Sequence, residues 1–399
     1  MAQWRPDPIF YPSPKMAMQA APEKPAVVTP MSGMTLSMDT LRDWLDQGRP
    51  VTVLDVRPSD QHAEWAIPGS VHVEAYEALK ANDPGALLEV RLPQDRPVVT
   101  VCGMGHTSAI AAQQLRDRGY EAFTLIGGMK AWSLAWNSAD VHLNNDSVRV
   151  IQLRRTGKGC LSYLIGGQDR AAVIDASVAP EVYLDLASRA GWKITDLLDT
   201  HVHADHLSRS RQLSKLCGAT LWLPEQRRVN YRFAPVRDGE TIQVGAAQLA
   251  PLRTPGHTPE STCYLLDGKL LFTGDTLFLA GVGRPDLEAT ADGARLRAEH
   301  LHTSLRRILS LPPETLILPG HVSHPVPFDG VPLYARLAEV RERVQSLHLP
   351  VGDFMAWILG RIPPTPPNHH QIVQLNEQGL WPEGDLTDLE AGANRCAIA

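Results

Sequence analysis

The 399 residues carry a formal net charge of -6, with 43% hydrophobic and 21% charged side chains, a globular mixture that excludes a disordered or fibrous chain. No basic footprint is present, so nucleic acid is not an expected partner, and no stretch approaches the roughly 20 apolar residues that span a bilayer, so neither is a membrane. At roughly 100 to 200 residues per domain, the length makes two domains the expectation.

The five cysteines, Cys102, Cys160, Cys217, Cys263 and Cys396, are odd in number and thinly spread. Reduced thiols in a cytoplasmic protein fit that usage better than a disulfide framework. Residues 1–35 are rich in Pro and Met, lack periodicity and contain no signal-peptide core, so an extended arm is expected. A helix is predicted from Asp39 to Gln47, followed by a buried strand over Val51 to Asp55. Pro97 to Val101 forms a second strand, then come a glycine-containing loop and a helix from Ser108 to Arg118. Alternation of strand and helix predicts a parallel α/β sheet with helices on both faces over 36–138.

Residues 139–147, with Asn144-Asn145-Asp146-Ser147, read as a linker. Beyond it, strands are expected at Leu161 to Ile165 and Ala172 to Asp175, a helix at Pro180 to Arg189, and a run from Ile194 that ends in histidines. Thr241 to Val244, Gln248 to Leu252, Thr262 to Leu266 and Lys269 to Thr273 are spaced like antiparallel strands. A layered α/β sandwich over 148–345 follows, with a Pro-rich tail, 346–399, packing on it.

Two clusters carry chemistry. Cys102 lies between a strand and a helix start, where converging amides and the helix dipole stabilise a thiolate. Gly103 and Gly105 let the backbone curl around the sulfur. Leu54-Asp55-Val56-Arg57, Ile67-Pro68-Gly69-Ser70, the Cys102 loop and Ile126-Gly127-Gly128-Met129-Lys130-Ala131-Trp132, in that order, resemble a rhodanese domain. The resemblance implies that Cys102 is catalytic, carrying sulfane sulfur as a persulfide. Gly103, Met104, Gly105, His106, Thr107 and Ser108 would form its substrate-binding cradle. Many thiosulfate-using rhodaneses place arginine in this loop; His106 stands here, so a persulfide donor ranks beside thiosulfate.

The second cluster, His201, His203, Asp205 and His206, crowds ligand-type side chains at a strand end, an arrangement suited to a transition metal. His257, Asp275 and His321 follow at other strand ends. This set resembles the metallo-β-lactamase superfamily, which implies an αββα sandwich. His300, His302, His369 and His370 are expected to face solvent. The superfamily hosts several chemistries, and Gly281-Val282-Gly283-Arg284-Pro285-Asp286-Leu287, with the rhodanese partner, resembles persulfide dioxygenases.

That resemblance implies one Fe(II) per chain on His201, His257 and Asp275. His203, Asp205, His206 and His321 would orient ligands and move protons, Asp205 and His206 in catalytic roles. Arg284 would bind an anionic substrate or brace the loop through Asp286. Implied partners are a thiol persulfide such as glutathione persulfide, dioxygen, and sulfite or thiosulfate. The oligomeric state, homo-oligomer included, is left open. The alternative is a glyoxalase II-like thioesterase with two Zn(II) per chain, for which His203, Asp205, His206 and His321 become ligands of a second metal. A non-enzymatic persulfide carrier is a third reading, but it has no need of so complete a ligand set.

Overall fold

In a computed structural model, which describes residues 34–142, 148–392 and 394–399, the apolar runs of the first domain become an all-parallel sheet. Its strand order is Thr35–Leu36, Ala122–Leu125, Val98–Val101, Thr52–Asp55, Val71–His72. Thr52–Asp55 and Val98–Val101 are buried on both faces, which is why they read as continuous rather than alternating runs. The helix Met38–Asp46 is capped by Ser37, whose hydroxyl accepts the Thr40 amide at 3.1 Å. The helix after the cysteine loop begins at His106, two residues earlier than predicted, so it reaches almost to the sulfur.

The second domain stacks two sheets. The first runs Ala234–Val236, Thr220–Pro224, Lys193–Leu198, Arg170–Ile174, Leu161–Gly167, Arg149–Arg154, Asn137–Val141. The other runs Ile242–Val244, Ala247–Arg253, Thr262–Leu266, Leu270–Gly274, Leu316–Pro319, Ala335–Arg336. Between them Val150, Tyr163 and Ile174 meet Leu249, Tyr264 and Phe272 in one core, with the Tyr163 and Phe272 rings 4.8 Å apart. Helices Pro180–Arg189 and Ser210–Cys217 cover the outer face of the first sheet, Ala291–Leu309 and Val351–Leu359 that of the second, completing four layers. Among the described residues no helix is long and apolar enough to cross a membrane.

One boundary differs from expectation. Asn137–Val141 lies partly in the predicted linker, yet it is the edge strand of the seven-stranded sheet, paired antiparallel with Arg149–Arg154. Its alternation of buried Asn137, Ala139 and Val141 with half-exposed Ser138 and Asp140 supplies the reason. The arm before Met34 and the linker's 143–147 lie outside the described residues.

The C-terminal tail packs on the second domain and also reaches the first. Lys130 of the first domain pairs with Asp385 at 3.3 Å and Asp388 at 2.5 Å. Glu390, fully buried, pairs with Arg155 at 2.6 Å and Arg209 at 2.6 Å and accepts the Leu207 amide at 2.8 Å. Burial opposes its charge, but the two guanidinium groups outweigh that and hold its carboxyl well below the usual range. Glu390→Ala leaves both cations buried without their partner, so urea unfolding is expected to show a loss of about 3 to 5 kcal/mol. A loss under about 1 kcal/mol would show that the ion cluster does not hold the tail.

Candidate active sites

The first site forms where Val98–Val101 ends. Cys102 Sγ accepts amides from Gly105 at 3.2 Å and Ser108 at 3.3 Å, so the residue capping the helix and its first turn both point N–H groups at the sulfur. Gly105 adopts φ +93, and a Cβ there would stand 3.0 Å from the Leu125 carbonyl oxygen, so the turn admits no side chain. Ser108 contributes its amide rather than its hydroxyl, which bonds Thr124 Oγ1 at 2.8 Å. Thr107 is buried, whereas Met104 and His106 are exposed at the rim. A cavity of about 430 Å³ lies over the loop, walled by Met104, His106 and Lys130 together with Asp385 and Thr387 of the tail.

The second site gathers side chains that share only the sandwich edge. His201 follows the strand Lys193–Leu198, His257 follows Ala247–Arg253, and Asp275 follows Leu270–Gly274. Asp275 Oδ2 stands 3.9 Å from His201 Nε2 and 3.6 Å from His257 Nε2. Partners on the far side of each ring fix which nitrogen is bare. His257 Nδ1 donates to the Arg284 carbonyl at 2.8 Å, and His201 Nδ1 donates to Thr200 Oγ1 at 2.9 Å, whose own proton goes to Asp175. Burial, and for His201 also the His203 ring beside it, pushes both histidines below their ordinary pKa against the pull of Asp275, so both are neutral lone-pair donors.

His201 Nε2 and Asp275 Oδ2 are buried with no hydrogen-bond partner. Ligand atoms this far apart suit an ion about 2.0 to 2.2 Å from each, so the donor set fits a first-row transition metal. The fold implies such a metal, iron or zinc among those that suit it.

His203, Asp205, His206 and His321 lie beside this trio. His203 Nε2 donates to Asp175 Oδ1 at 3.2 Å and His206 Nδ1 to Asp205 Oδ1 at 3.0 Å, leaving His203 Nδ1 and His206 Nε2 buried and unpartnered. His321 is spent on both sides: Nδ1 bonds Asp275 Oδ1 at 2.5 Å and Nε2 bonds Asp205 Oδ2 at 2.8 Å. Burial opposes its charge, but Asp205 and Asp275 outweigh it and raise its pKa well above the ordinary value.

Several expectations change. Arg284 is not placed to bind substrate: it is fully buried, forked onto Asp286 at 2.8 Å twice, and its remaining NH1 faces the Pro364 and Arg395 carbonyls. The loop-bracing role is the one the packing supports. His369 is buried against Glu288 at 3.3 Å, because the tail folds back over it, whereas His370 is exposed. His302 is half-buried and bonds the Leu349 carbonyl at 3.1 Å, drawn in by the helix Val351–Leu359, whereas His300 is exposed as expected.

Residues that reasoning from sequence missed complete the site. Cys160 Sγ bonds Asp205 Oδ2 at 3.2 Å and belongs with Asp205, His206 and His321 to one buried group of ligand atoms. Burial and Asp205 oppose ionisation of this thiol, but His206 and His321 outweigh them and bring its pKa to about 7. Asn376 of the tail donates to the His203 and His206 carbonyls at 2.8 and 2.9 Å, and Asn394 donates to Asp205 at 3.1 Å. A cavity of about 130 Å³ reaches Asp205 between Lys158, Asn368, His369 and Asn394.

Comparison with known proteins divides the chain at the same place. Residues 37–135 match the rhodanese-like domain and residues 155–321 match the metallo-beta-lactamase superfamily. A hydroxyacylglutathione hydrolase of Rhodospirillum rubrum is 31% identical over 192 residues, 46% of this chain and 67% of its own length. That of Rhizobium meliloti is 36% identical over 38% of this chain, which spans only 59% of that relative. Among solved structures, ETHE1 from Myxococcus xanthus is 30% identical with a TM-score of 0.50, over 57% of this chain and 96% of its own. A metallo-beta-lactamase from Staphylococcus aureus is 27% identical with a TM-score of 0.54, over 59% and 74%.

Proposed function

We propose, for a chain that belongs to the metallo-beta-lactamase superfamily and carries a rhodanese-like domain ahead of it, that it oxidises a small thiol persulfide such as glutathione persulfide to sulfite. The reaction uses one iron held by His201, His257 and Asp275, with sulfur transfer through Cys102. The observation that carries this reading is the division of lone pairs. Two neutral imidazoles and one carboxylate oxygen converge on one point, while His321 has both nitrogens committed to Asp205 and Asp275. Three protein ligands leave coordination positions open for substrate and dioxygen.

The balance is one persulfide, one dioxygen and one water giving the free thiol and sulfite, with two protons released as sulfite ionises. The iron, when bound, supplies the redox chemistry. Thr200 and the Arg284 carbonyl keep His201 and His257 in the tautomers that bind metal. His321 holds Asp275 in orientation, and Asp205 with His206 offers a proton path on the side of the 130 Å³ cavity. At Cys102, a persulfide attacked by sulfite yields thiosulfate as its S–S bond breaks, and the cysteine sulfur retakes a proton. The amides of Gly105 and Ser108 receive the charge on that sulfur.

A hydrolase is the second reading, favoured by the names of the curated relatives. The unpartnered nitrogens of His203 and His206 are its structural support, since a second metal, taking the place of a proton on His206, would use such donors beside Asp205. Metal analysis with an oxygen electrode decides. One iron per chain and oxygen uptake on adding glutathione persulfide is the expected result. Two zinc ions per chain with thioester turnover and no oxygen uptake would establish the hydrolase instead.

A further inference from the structure

The last strand of the chain, Ala397–Ile398, pairs antiparallel with Val282–Gly283 beside the metal centre. The residue before it, Cys396, is buried, and its Sγ forms a group with ligand-type atoms of Asp275 and His321, all within 4.8 Å of one another. The sulfur groups with the Asp275–His321 pair, and His201 and His257 form a separate group with Asp275.

The segment is seated by specific contacts rather than laid on the surface. Arg284 donates its amide to the Cys396 carbonyl at 3.0 Å and its NH1 to the Arg395 carbonyl at 3.2 Å. The Cys396 amide is held by Asn394 Oδ1 at 2.8 Å, while Asn394 Nδ2 reaches Asp205. Two glycines make room for this arrangement. A Cβ on Gly281 would stand 2.3 Å from the Ile398 carbonyl oxygen, and one on Gly283 would stand 1.9 Å from the Asp275 carbonyl oxygen. The Gly281-Val282-Gly283-Arg284 motif is therefore built to dock the C-terminus against the metal centre.

Asp275 has one oxygen bonded to His321 and the other unpartnered toward His201 and His257. A carboxylate bound through one oxygen swings about its Cβ–Cγ bond unless its other flank is also filled, and second contacts to a ligand commonly change metal affinity 10- to 100-fold. We propose that Cys396, delivered by the docked C-terminal strand, is a positioning residue of the metal centre that holds Asp275 in its metal-binding orientation. It rests on the metal-holding part of the reading above and not on the identity of the substrate.

Release of metal from the loaded protein to excess chelator is the test, run on wild type, Cys396→Ala, Cys396→Ser and Gly281→Val. Cys396→Ala is expected to release metal about 10- to 100-fold faster. Cys396→Ser, which keeps a small donor at that place, is expected to stay within about threefold of wild type, since its hydroxyl stands in the same position beside Asp275 and His321. Gly281→Val is expected to match or exceed the alanine variant by lifting the strand. Should Gly281→Val fail to fold, the alanine and serine pair still decides. Wild-type release from Cys396→Ala, alongside rapid loss from His257→Ala, overturns the proposal. So does a sulfur-to-cobalt charge-transfer band in the cobalt-loaded protein that disappears in Cys396→Ala, because the thiol is then a ligand. If the protein took up no oxygen with a persulfide, the dioxygenase reading would fail while this comparison kept its meaning.

Discussion

Replacing His201, His257 or Asp275 by alanine is expected to empty the metal centre and abolish turnover together. Each is one of three protein donors that meet at one point, and two remaining donors hold a first-row ion far more weakly. Asp275→Ala also strips His321 of one of its two carboxylates, so its loss is expected to be the most severe. His321→Ala should behave differently. It removes no lone pair from the trio, and its effect is to let Asp275 and Asp205 relax, so metal is expected to stay with affinity lowered about 10- to 100-fold while the rate falls. Metal content by mass spectrometry, with oxygen uptake on the same samples, reads both quantities. Equal loss of metal in all four variants would place His321 among the ligands and return the site to a dinuclear arrangement.

How much of this was legible in the sequence depended on whether a feature was local. Val98 to Val101 and Thr52 to Asp55 read as strands because a parallel sheet covered on both faces leaves no polar side to interrupt the run. His201 to His206 read as a metal site because four ligand-type side chains fall within six residues. Cys160 and Cys396 carry no such mark. Each is a single cysteine in an ordinary setting, and only the sandwich edge brings Cys160 beside Asp205 and Cys396 beside Asp275, partners that lie far away in the chain. Glu390 is invisible for the same reason, since its partners Arg155 and Arg209 lie far upstream. Arg284 shows the opposite failure: its motif was conspicuous, but spacing does not reveal where a guanidinium points, and here it points into the protein. The Asn-Asn-Asp-Ser run drew the linker too wide, because turn residues mark a loop without saying how far the neighbouring strands extend.

Cys102→Ser is the sharpest test of how the two domains divide the chemistry. The two amides aimed at Sγ are placed to receive the charge that the sulfur takes up as its persulfide bond breaks. A serine cannot hold sulfane sulfur at all, so sulfur transfer to cyanide or to sulfite is expected to fall to background. The fold should survive, since the buried residue is replaced by one slightly smaller that accepts the same two amides. His201, His257 and Asp275 draw none of their contacts from the Cys102 loop, and oxygen uptake with a small persulfide is therefore expected to stay within about twofold of wild type. His106→Ala should shift only the choice of sulfur donor, because that side chain stands exposed at the rim and makes no contact with the sulfur. The tail is what gives the outcome its weight: Asp385 and Asp388 grip Lys130 beside the Cys102 loop, while Asn394 and Cys396 of the same segment sit at the metal centre. If Cys102→Ser stopped oxygen uptake in a folded, metal-loaded protein, that strap would have to transmit the state of one sulfur to the other site, and the two half-reactions would not be separable.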